Sequence, residues 1–483
     1  MTEYNIWNIP DYKGNPLIEA LPAYLSLKDF MVNIASKPVF SPEERFHNDL
    51  ERDLYTERLD NCIIPLGEYY VAYKKIYKLI LKSYISRNPI DPETRQLVYS
   101  VASKGKIPTP NKHKKTTADS IFITGLSGMG KSWMIDKIME LIFKQEIKHD
   151  EYNGHSLNFK QLVYVKFNCP GDASRRALLL NFFKAVDEAT KNTNYAKENS
   201  LNTLRLHDLE HNMKVVCMNH HIGLVIMDEL QNLSMAKSGG AKSAMRFFEN
   251  IANEALVSLV FIGTYDCFDI YHGEFSVARR MAKNGIIDLQ HPEINDPYWL
   301  KLLEKLWDAQ WVQNPIKIFK SKDGDNADYD PCVAQDIINA IYFCSQGITV
   351  CTITLLKHAN VYAIEQGLEK IDVDLIYEVY NNEFKLLNPA LKVLEEKGAE
   401  GYKEYNELMP LAERIKEMRK RPELTRGDNH SNTVEKPEPD SEKLTISPDK
   451  FNENKRRKES ASDVFNRLNI KQFFVKSMKE LLD

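Results

Sequence analysis

The stretch GLSGMGKS, residues 125–132, constrains this chain more than any other. It follows a short apolar run, SIFITG (120–125), and opens an amphipathic one, KSWMIDKIMELIFKQ (131–145). In the second run Met134, Ile135, Ile138, Met139 and Ile142 recur on one helical face. Glycines between a strand and a helix let backbone N–H groups converge on phosphate oxygens, and the helix N-terminus adds favourable partial charge. The expected ligands of a nucleotide are Gly125, Ser127, Gly128, Gly130, Lys131, Ser132 and Trp133. Lys131 is expected to bridge the β- and γ-phosphates, and Ser132 to ligate Mg²⁺. The bland alternative is a glycine-rich turn that binds nothing.

A loop of this kind needs a parallel sheet behind it, and further runs supply one. QLVYVKFNC (161–169), IGLVIMDE (222–229) and VSLVFIGT (257–264) read as strands buried on both faces. RRALLLNFFKAVDEAT (175–190) reads as a helix between the first two of these. Strand and helix alternate, which predicts a doubly wound α/β core. The run LVIMDE ends in Asp228 and Glu229. An acidic residue at a buried strand end can hold Mg²⁺ through water, and a second carboxylate can orient and deprotonate the attacking water. The plainer reading is an acidic cap on a following turn. Thr264 ends the next strand, where a carboxyl end faces the nucleotide crevice and a hydroxyl can sense the γ-phosphate. A threonine capping a loop explains the position equally well. Arg279 and Arg280, in FSVARRMAKNG beyond the last clear core strand, are either a solvated basic pair or a transition-state arginine lent to a neighbouring subunit.

The rest of the chain sets the organisation. In 483 residues the hydrophobic share is 43% and the charged share 27%, ordinary for a globular protein of several units. The formal net charge of −4 confines any nucleic-acid contact to a local patch. Seven cysteines are scattered without a CxxC pair, so neither a zinc site nor a disulfide framework is expected, and the usage fits a reducing cytosol. The polar start shows no signal peptide and no run of about 18 apolar residues occurs, so a membrane association is not expected. Residues 1–117 read as an N-terminal extension facing a partner or DNA, with a helix over 67–84 broken at YISRNP and a basic linker at 104–119. Residues 118–290 read as the α/β core and 291–395 as a helical lid. A helical extension (396–422), an apolar-poor disordered linker (423–460) and an apolar C-terminal helix (461–483) follow.

Taken in order, the phosphate loop, MDE, GT and ARR followed by a helical block resemble an AAA+ ATPase. The resemblance implies an AAA+ P-loop core, a parallel sheet sandwiched by helices, that binds and hydrolyses ATP with Mg²⁺. In one respect the chain departs from that family. Where many such lids carry an arginine, SQGITV puts Val350. More specifically, NPLIEALP (15–22), YISRNP (84–89), LNFFKAVDEA (180–189), GLVIMDELQNLSMAKSGG (223–240) and SQGI (345–348) are similar to the TnsC family, AAA+ regulators of Tn-seven-type transposons. That similarity spans roughly residues 1–395. It implies a homo-oligomeric ring or filament on double-stranded DNA, found in the bacterial cytoplasm and on the nucleoid when DNA-bound. The assembly would link a target-selection protein of the TnsD or TniQ kind to TnsA- and TnsB-like transposase subunits, without cutting DNA itself. Carried over residue by residue, the catalytic set is Lys131, Glu229, Thr264 and Arg279 or Arg280, with Ser132 and Asp228 at the metal.

DNA contacts in such an assembly run through Lys, Arg and helix N-termini to phosphates. Ser174, Arg175 and Arg176 open the helix after PGDA, and Lys237 and Lys242 flank the glycines after DELQNLS. The plainer reading of each is a solvated face. His220 and His221 precede a buried strand and read as structural or surface residues. Val464, Phe465, Leu468, Phe473 and Phe474 suit either docking onto the transposase or folding back onto the body. Two rivals stand beside the transposition reading: an initiator- or clamp-loader-type ATPase of replication or repair, and a small-molecule kinase with the same loop.

Overall fold

The computed structural model describes residues 2–96, 119–171, 174–201, 203–233, 247–248, 250–252, 254–268, 283–320, 329–396, 405–410 and 413–414. The chain divides into two units, Met1–Pro410 and Leu411–Asp483. The first unit opens with α1 (Pro16–Glu19), α2 (Leu27–Ile34), α3 (Asp49–Thr56) and the long α4 (Gly67–Ile85). Asn15, Ser26 and Asn48 cap the first three, each accepting from a backbone N–H of the first turn. The aromatic residues of α4 are not there for solvent. Tyr69, Tyr73, Tyr77 and Tyr84 are all buried, as are Ile76, Leu79 and Ile80 between them. The helix packs against three strands of the central sheet, so this helix is built into the core. Two buried groups seal that contact: Ser258 Oγ donates to Leu79 O at 2.8 Å, and Arg87 Nη2 to Ile222 O at 2.6 Å.

The core begins with β1 (Ser120–Gly125) and α5 (Lys131–Ile142), continues through β2 (Glu146–Tyr152), β3 (His155–Leu162) and β4 (Tyr164–Asn168), and then α6 (Arg175–Thr190), α7 (Tyr195–Asn199) and α8 (Leu206–Asn219). It closes with β5 (Leu224–Asp228), β6 (Ser258–Ile262) and β7 (Ile286–Leu289). Five strands form one sheet in the order β4-β5-β6-β1-β7, with every neighbouring pair parallel. Strands alternate their side chains between two faces. Phe122, Val165, Phe167, Val225, Met227, Leu259 and Phe261 share one cluster with Leu179, Phe182, Phe183, Leu209 and Met213 of α6 and α8. Their alternates Ile121, Ile123, Leu224, Ile226, Val260 and Ile262 are equally buried, on the side of α4 and α5. The expected α/β core with a parallel sheet is therefore what forms.

Two features differ from the sequence reading. Residues 161–169 are not one strand: β3 ends at Leu162 and β4 starts at Tyr164. β2 and β3 make an antiparallel hairpin inserted after α5. Charged residues alternate along it because one face is solvated while Ile147, His149 and Tyr152 lie under the N-terminal segment. Among the described residues the sheet's last strand in sequence is β7, not β6, so positions 279 and 280 fall between two strands of the sheet in sequence.

Among the described residues five further helices, α9 (Pro297–Asp308), α10 (Pro331–Ser345), α11 (Thr349–Glu365), α12 (Val373–Glu383) and α13 (Asn388–Glu396), follow β7. Asp296, Asp330 and Asp372 cap α9, α10 and α12, and a proline in the first turn of α9 and of α10 fixes where each starts. α10, α11 and α12 pack mutually, and α11 also carries α9 and α3. Arg52 of α3 is buried, and its guanidinium meets both Glu369 carboxylate oxygens at 2.8 Å. Among the described residues no single helix is long and apolar enough to cross a membrane.

Candidate nucleotide site

The site assembles where β1, β5 and β6 end. Gly130 sits at φ 78° and caps α5, a left-handed position that leaves the first-turn N–H groups of the helix facing the loop. Gly128, at φ 79°, carries a second constraint. A Cβ there would lie 2.9 Å from Ile348 Cγ2, and the Gly128 carbonyl accepts from the Val350 N–H at 3.2 Å. Val350 thus meets the loop through its backbone. The start of α11 closes directly onto the loop. On another side, a Cβ on Gly130 would be 3.7 Å from the Tyr69 hydroxyl, so α4 also borders the site.

Lys131 is buried, and its ammonium donates to Gly125 O at 3.1 Å and Leu126 O at 2.8 Å. Burial pulls it below the usual lysine range, opposed by the charges of Glu229 and Asp228 and more weakly by Glu407, from the turn Asn406–Leu408. A desolvated ammonium held by two neutral carbonyls is primed to exchange them for phosphate oxygens. Ser127 is exposed, and Ser132 and Trp133 are half-buried at the start of α5.

Asp228 ends β5 and is buried. Its Oδ1 accepts from the Glu229 N–H at 2.8 Å and its Oδ2 lies 3.2 Å from Lys166 Nζ. Glu229 is held at φ 56°, rare for a residue with a side chain. Its Oε2 accepts from Gln231 Nε2 at 2.5 Å, and Gln231 Oε1 accepts from the Thr264 N–H at 3.2 Å. One amide therefore ties the candidate general base to the end of β6. Gly263 makes room for it, because a Cβ there would fall 2.9 Å from Gln231 Oε1. The Thr264 and Thr124 hydroxyls are buried without a hydrogen bond among the described residues. Next to them Tyr265 donates to Asp288 Oδ1 at 2.7 Å. Burial raises the Asp288 carboxyl, against the pull of Tyr265 and Lys131.

The donor set fits a magnesium nucleoside triphosphate. The loop glycines hold positive φ values and stand too close to Leu289 and Ile348 for side chains at 125 and 128. Lys131 and the Thr124 and Thr264 hydroxyls, without a hydrogen bond among the described residues, lie at the same strand ends, and Ser132 and Asp228 offer the oxygen ligands that Mg²⁺ takes. Lys131 lies within reach of the charges of Asp228 and Glu229, Gln231 ties Glu229 to Thr264, and Ser132 follows Lys131 in the first turn of α5. Gln231, Lys166, Tyr69 and the Asp288–Tyr265 pair join them without having been expected. Two of these leave a trace in the sequence: Lys166 is a lone charge inside the apolar run VYVKFNC, and Gln231 follows the acidic pair by two positions.

The candidate DNA contacts are differently disposed. Ser174 caps α6, accepting from the Ala177 N–H at 3.3 Å. Arg175 pairs with Glu210 at 3.2 Å, and Arg176 donates to the carbonyls of Leu201 and Leu204. Lys237, Lys242, Arg279 and Arg280 lie outside the described residues, as do residues 415–483 with the C-terminal apolar run.

Residues 113–271 match the family model described as AAA domain. No curated protein matches the sequence. Among solved structures, the chain is similar to a Walker-type ATPase of Pyrococcus abyssi, at 14% identity and TM-score 0.35, over 58% of this chain and 71% of that one. It is also similar to the Thermotoga maritima RuvB Holliday junction branch migration motor, at 14% identity and TM-score 0.28, over 59% and 66% of the two chains. Cdc6p from Pyrobaculum aerophilum matches at 14% identity and TM-score 0.31, over 61% and 67%. The sheet, the phosphate loop and the domain match agree: the chain is built on the AAA+ P-loop fold, with an AAA domain at its centre.

Proposed function

We propose that the chain is an ATP-hydrolysing switch that assembles on double-stranded DNA and regulates transposition, as a TnsC-like protein would. The observation that carries the ATPase part is the chain of contacts Glu229–Gln231–Thr264 beside Lys131. It couples a candidate base for water to the strand end that would meet the γ-phosphate, an arrangement suited to hydrolysis. In a kinase a second substrate would have to enter here, yet the start of α11 closes on the loop. The regulatory part rests on the similarity of the DELQNLS, SQGI and N-terminal stretches to that family.

In this reading Lys131 and the loop hold the phosphates, and Ser132 with Asp228 would hold Mg²⁺, which supplies charge neutralisation at the β- and γ-phosphates. Glu229 takes the proton of the attacking water, and Thr264 orients the γ-phosphate end. Arg279 or Arg280 of an adjacent copy would complete the site. Ser174, Arg175, Arg176, Lys237 and Lys242 are the proposed phosphate contacts on DNA, and residues 461–483 the proposed link to transposase subunits. A target-selection protein would set where the assembly forms.

Sedimentation of the full chain with ATP, Mg²⁺ and duplex DNA tests this. Large assemblies that require all three and disappear in Lys131→Ala are expected. A species of constant size regardless of ATP and DNA overturns the reading.

A further inference from the structure

Lys166 lies on the edge strand β4, opposite Ile226 of β5. Its ammonium stands 2.6 Å from Asp136 Oδ1 and 3.2 Å from Asp228 Oδ2. Asp136 is on α5, one turn after Ser132. One cation therefore joins two carboxylates beside the pair of residues assigned to the metal. The Asp228 side chain is only 5% exposed, and its other oxygen is taken by the Glu229 N–H. A carboxylate buried that far is costly without a counter-charge.

We propose that Lys166 is a resident counter-cation of the metal site, holding Asp228 until Mg²⁺ arrives with the nucleotide, and that Asp136 is the acceptor that keeps Lys166 afterwards. The proposal rests on the magnesium-nucleotide reading above. The physical case has three parts. An ammonium and Mg²⁺ near one carboxylate repel each other, so the lysine competes with the metal. Its flexible four-carbon stem lets the charge swing without moving the strand. Asp136, 41% exposed against 5% for Asp228, gives it a partner nearer solvent when it lets go. Lys166 thus acts on metal affinity through Asp228 and is a positioning residue.

Mg²⁺ titrations of the full chain with a fluorescent ATP analogue, read as nucleotide binding, test this. Lys166→Met removes the competitor, and the half-saturating Mg²⁺ concentration is expected to fall about twofold to fivefold, the worth of a partly exposed ion pair. Asp136→Asn removes the alternative acceptor, leaves Lys166 to Asp228 alone, and is expected to raise it by a similar factor. Opposite shifts are required, since a merely structural role would move both the same way. Lys166→Met is also expected to unfold at lower temperature in EDTA, where Asp228 loses its partner. Asp136→Asn keeps that pair and carries the test by itself. Shifts of the same sign, or no shift in Asp136→Asn, overturn the proposal while the nucleotide reading stands. Absence of nucleotide binding by the unsubstituted chain overturns both.

Discussion

Glu229 occupies a left-handed backbone position at φ 56°, directly after a buried aspartate. A side chain there costs about 1–2 kcal/mol relative to an ordinary conformation. The site holds this strain with the Asp228 Oδ1 contact to the Glu229 N–H on one side and the Gln231 amide on the other. Strain of this kind at a strand end is what places the carboxylate at the mouth of the sheet. Substitutions at this one position should therefore separate stability from chemistry. Glu229→Gly relieves the backbone and removes a second negative charge beside Asp228, so its unfolding free energy is expected to rise by about 1 kcal/mol. Glu229→Gln keeps the shape and the strain, so its stability is expected to stay near that of the unsubstituted chain. Both are expected to lose hydrolysis by about a hundredfold or more, the contribution of a general base, while still binding ATP. Denaturant unfolding and a phosphate-release assay read the two properties. A Glu229→Gly chain less stable than Glu229→Gln would contradict the strain argument.

Elements carry the next level of design, and α3 with α4 are the informative pair. α4 lies on the sheet and borders the phosphate loop through Tyr69, whereas α3 is fastened to the helical block after β7. The polar part of the fastening is Arg52 of α3 to Glu369, with the turns on either side of α3 adding Glu57 and Asp60 to Lys357 and Glu44, which accepts from the Trp311 indole N–H. Most of these are partly exposed and weak. Arg52 is different, since its side chain is 2% exposed and Glu369 18%. The Arg52 guanidinium holds the Glu369 carboxyl below the usual carboxylate range. Arg52→Met leaves that carboxylate only the Gln313 N–H as a donor and is expected to destabilise the chain by about 1–3 kcal/mol. Hydrogen exchange should rise first in α3 and α11. Unchanged protection in both would mean that the pair contributes nothing. The same elements measure how much was legible in the sequence. The helical repeat of α4 and the apolar runs of β1, β5 and β6 came through because burial on all sides leaves few polar interruptions. The β2–β3 hairpin did not, because its alternating Lys, Asp and Glu residues look like a loop until the N-terminal segment is known to cover one face. β7 was missed because four residues with a central Asp288 carry too little pattern. In the site, consecutive residues such as Lys131 with Ser132 and Asp228 with Glu229 were readable. Lys166, Gln231 and Tyr69 act across elements, and only the fold brings them in.

For the molecule as a whole, the joint between the N-terminal part, the hairpin and the sheet contains three histidines. His149 of β2 bonds Gln161 at 2.8 Å and meets Tyr4 at 3.0 Å, and Phe159 stacks on its ring and meets the ring of His221 at a tilt. His220 meets the Tyr195 hydroxyl at 2.9 Å. Burial lowers all three, and His221 falls to about 3 because Arg87, His149 and His220 add their positive charge to the desolvation. Asp150, Glu146 and Asp187 pull weakly the other way on His149 and His220. The sign follows from linkage. In the unfolded chain each histidine takes up its proton near pH 6.5, whereas the folded chain resists doing so. Stability is therefore complete above about pH 6.5 and falls as the pH drops below it. Each histidine contributes a slope of up to about 1.4 kcal/mol per pH unit, with His221 continuing down to about 3. Carboxylates held low by cations, such as Glu369 with Arg52 and Asp119 with Lys82, add their loss only below their ordinary range of about 4. Above that range the histidines set the fall from about pH 6.5 to 5, opposed by Asp288, whose carboxyl burial raises. His221→Asn isolates the largest share, because Asn tolerates the left-handed φ of 47° and carries no proton to gain. Its unfolding free energy is expected to fall less steeply over that interval, by about one proton's worth of slope, whatever its absolute stability. Denaturation curves at pH 5, 6 and 7 decide the matter, and an identical slope for the two chains would remove His221 from the acid response.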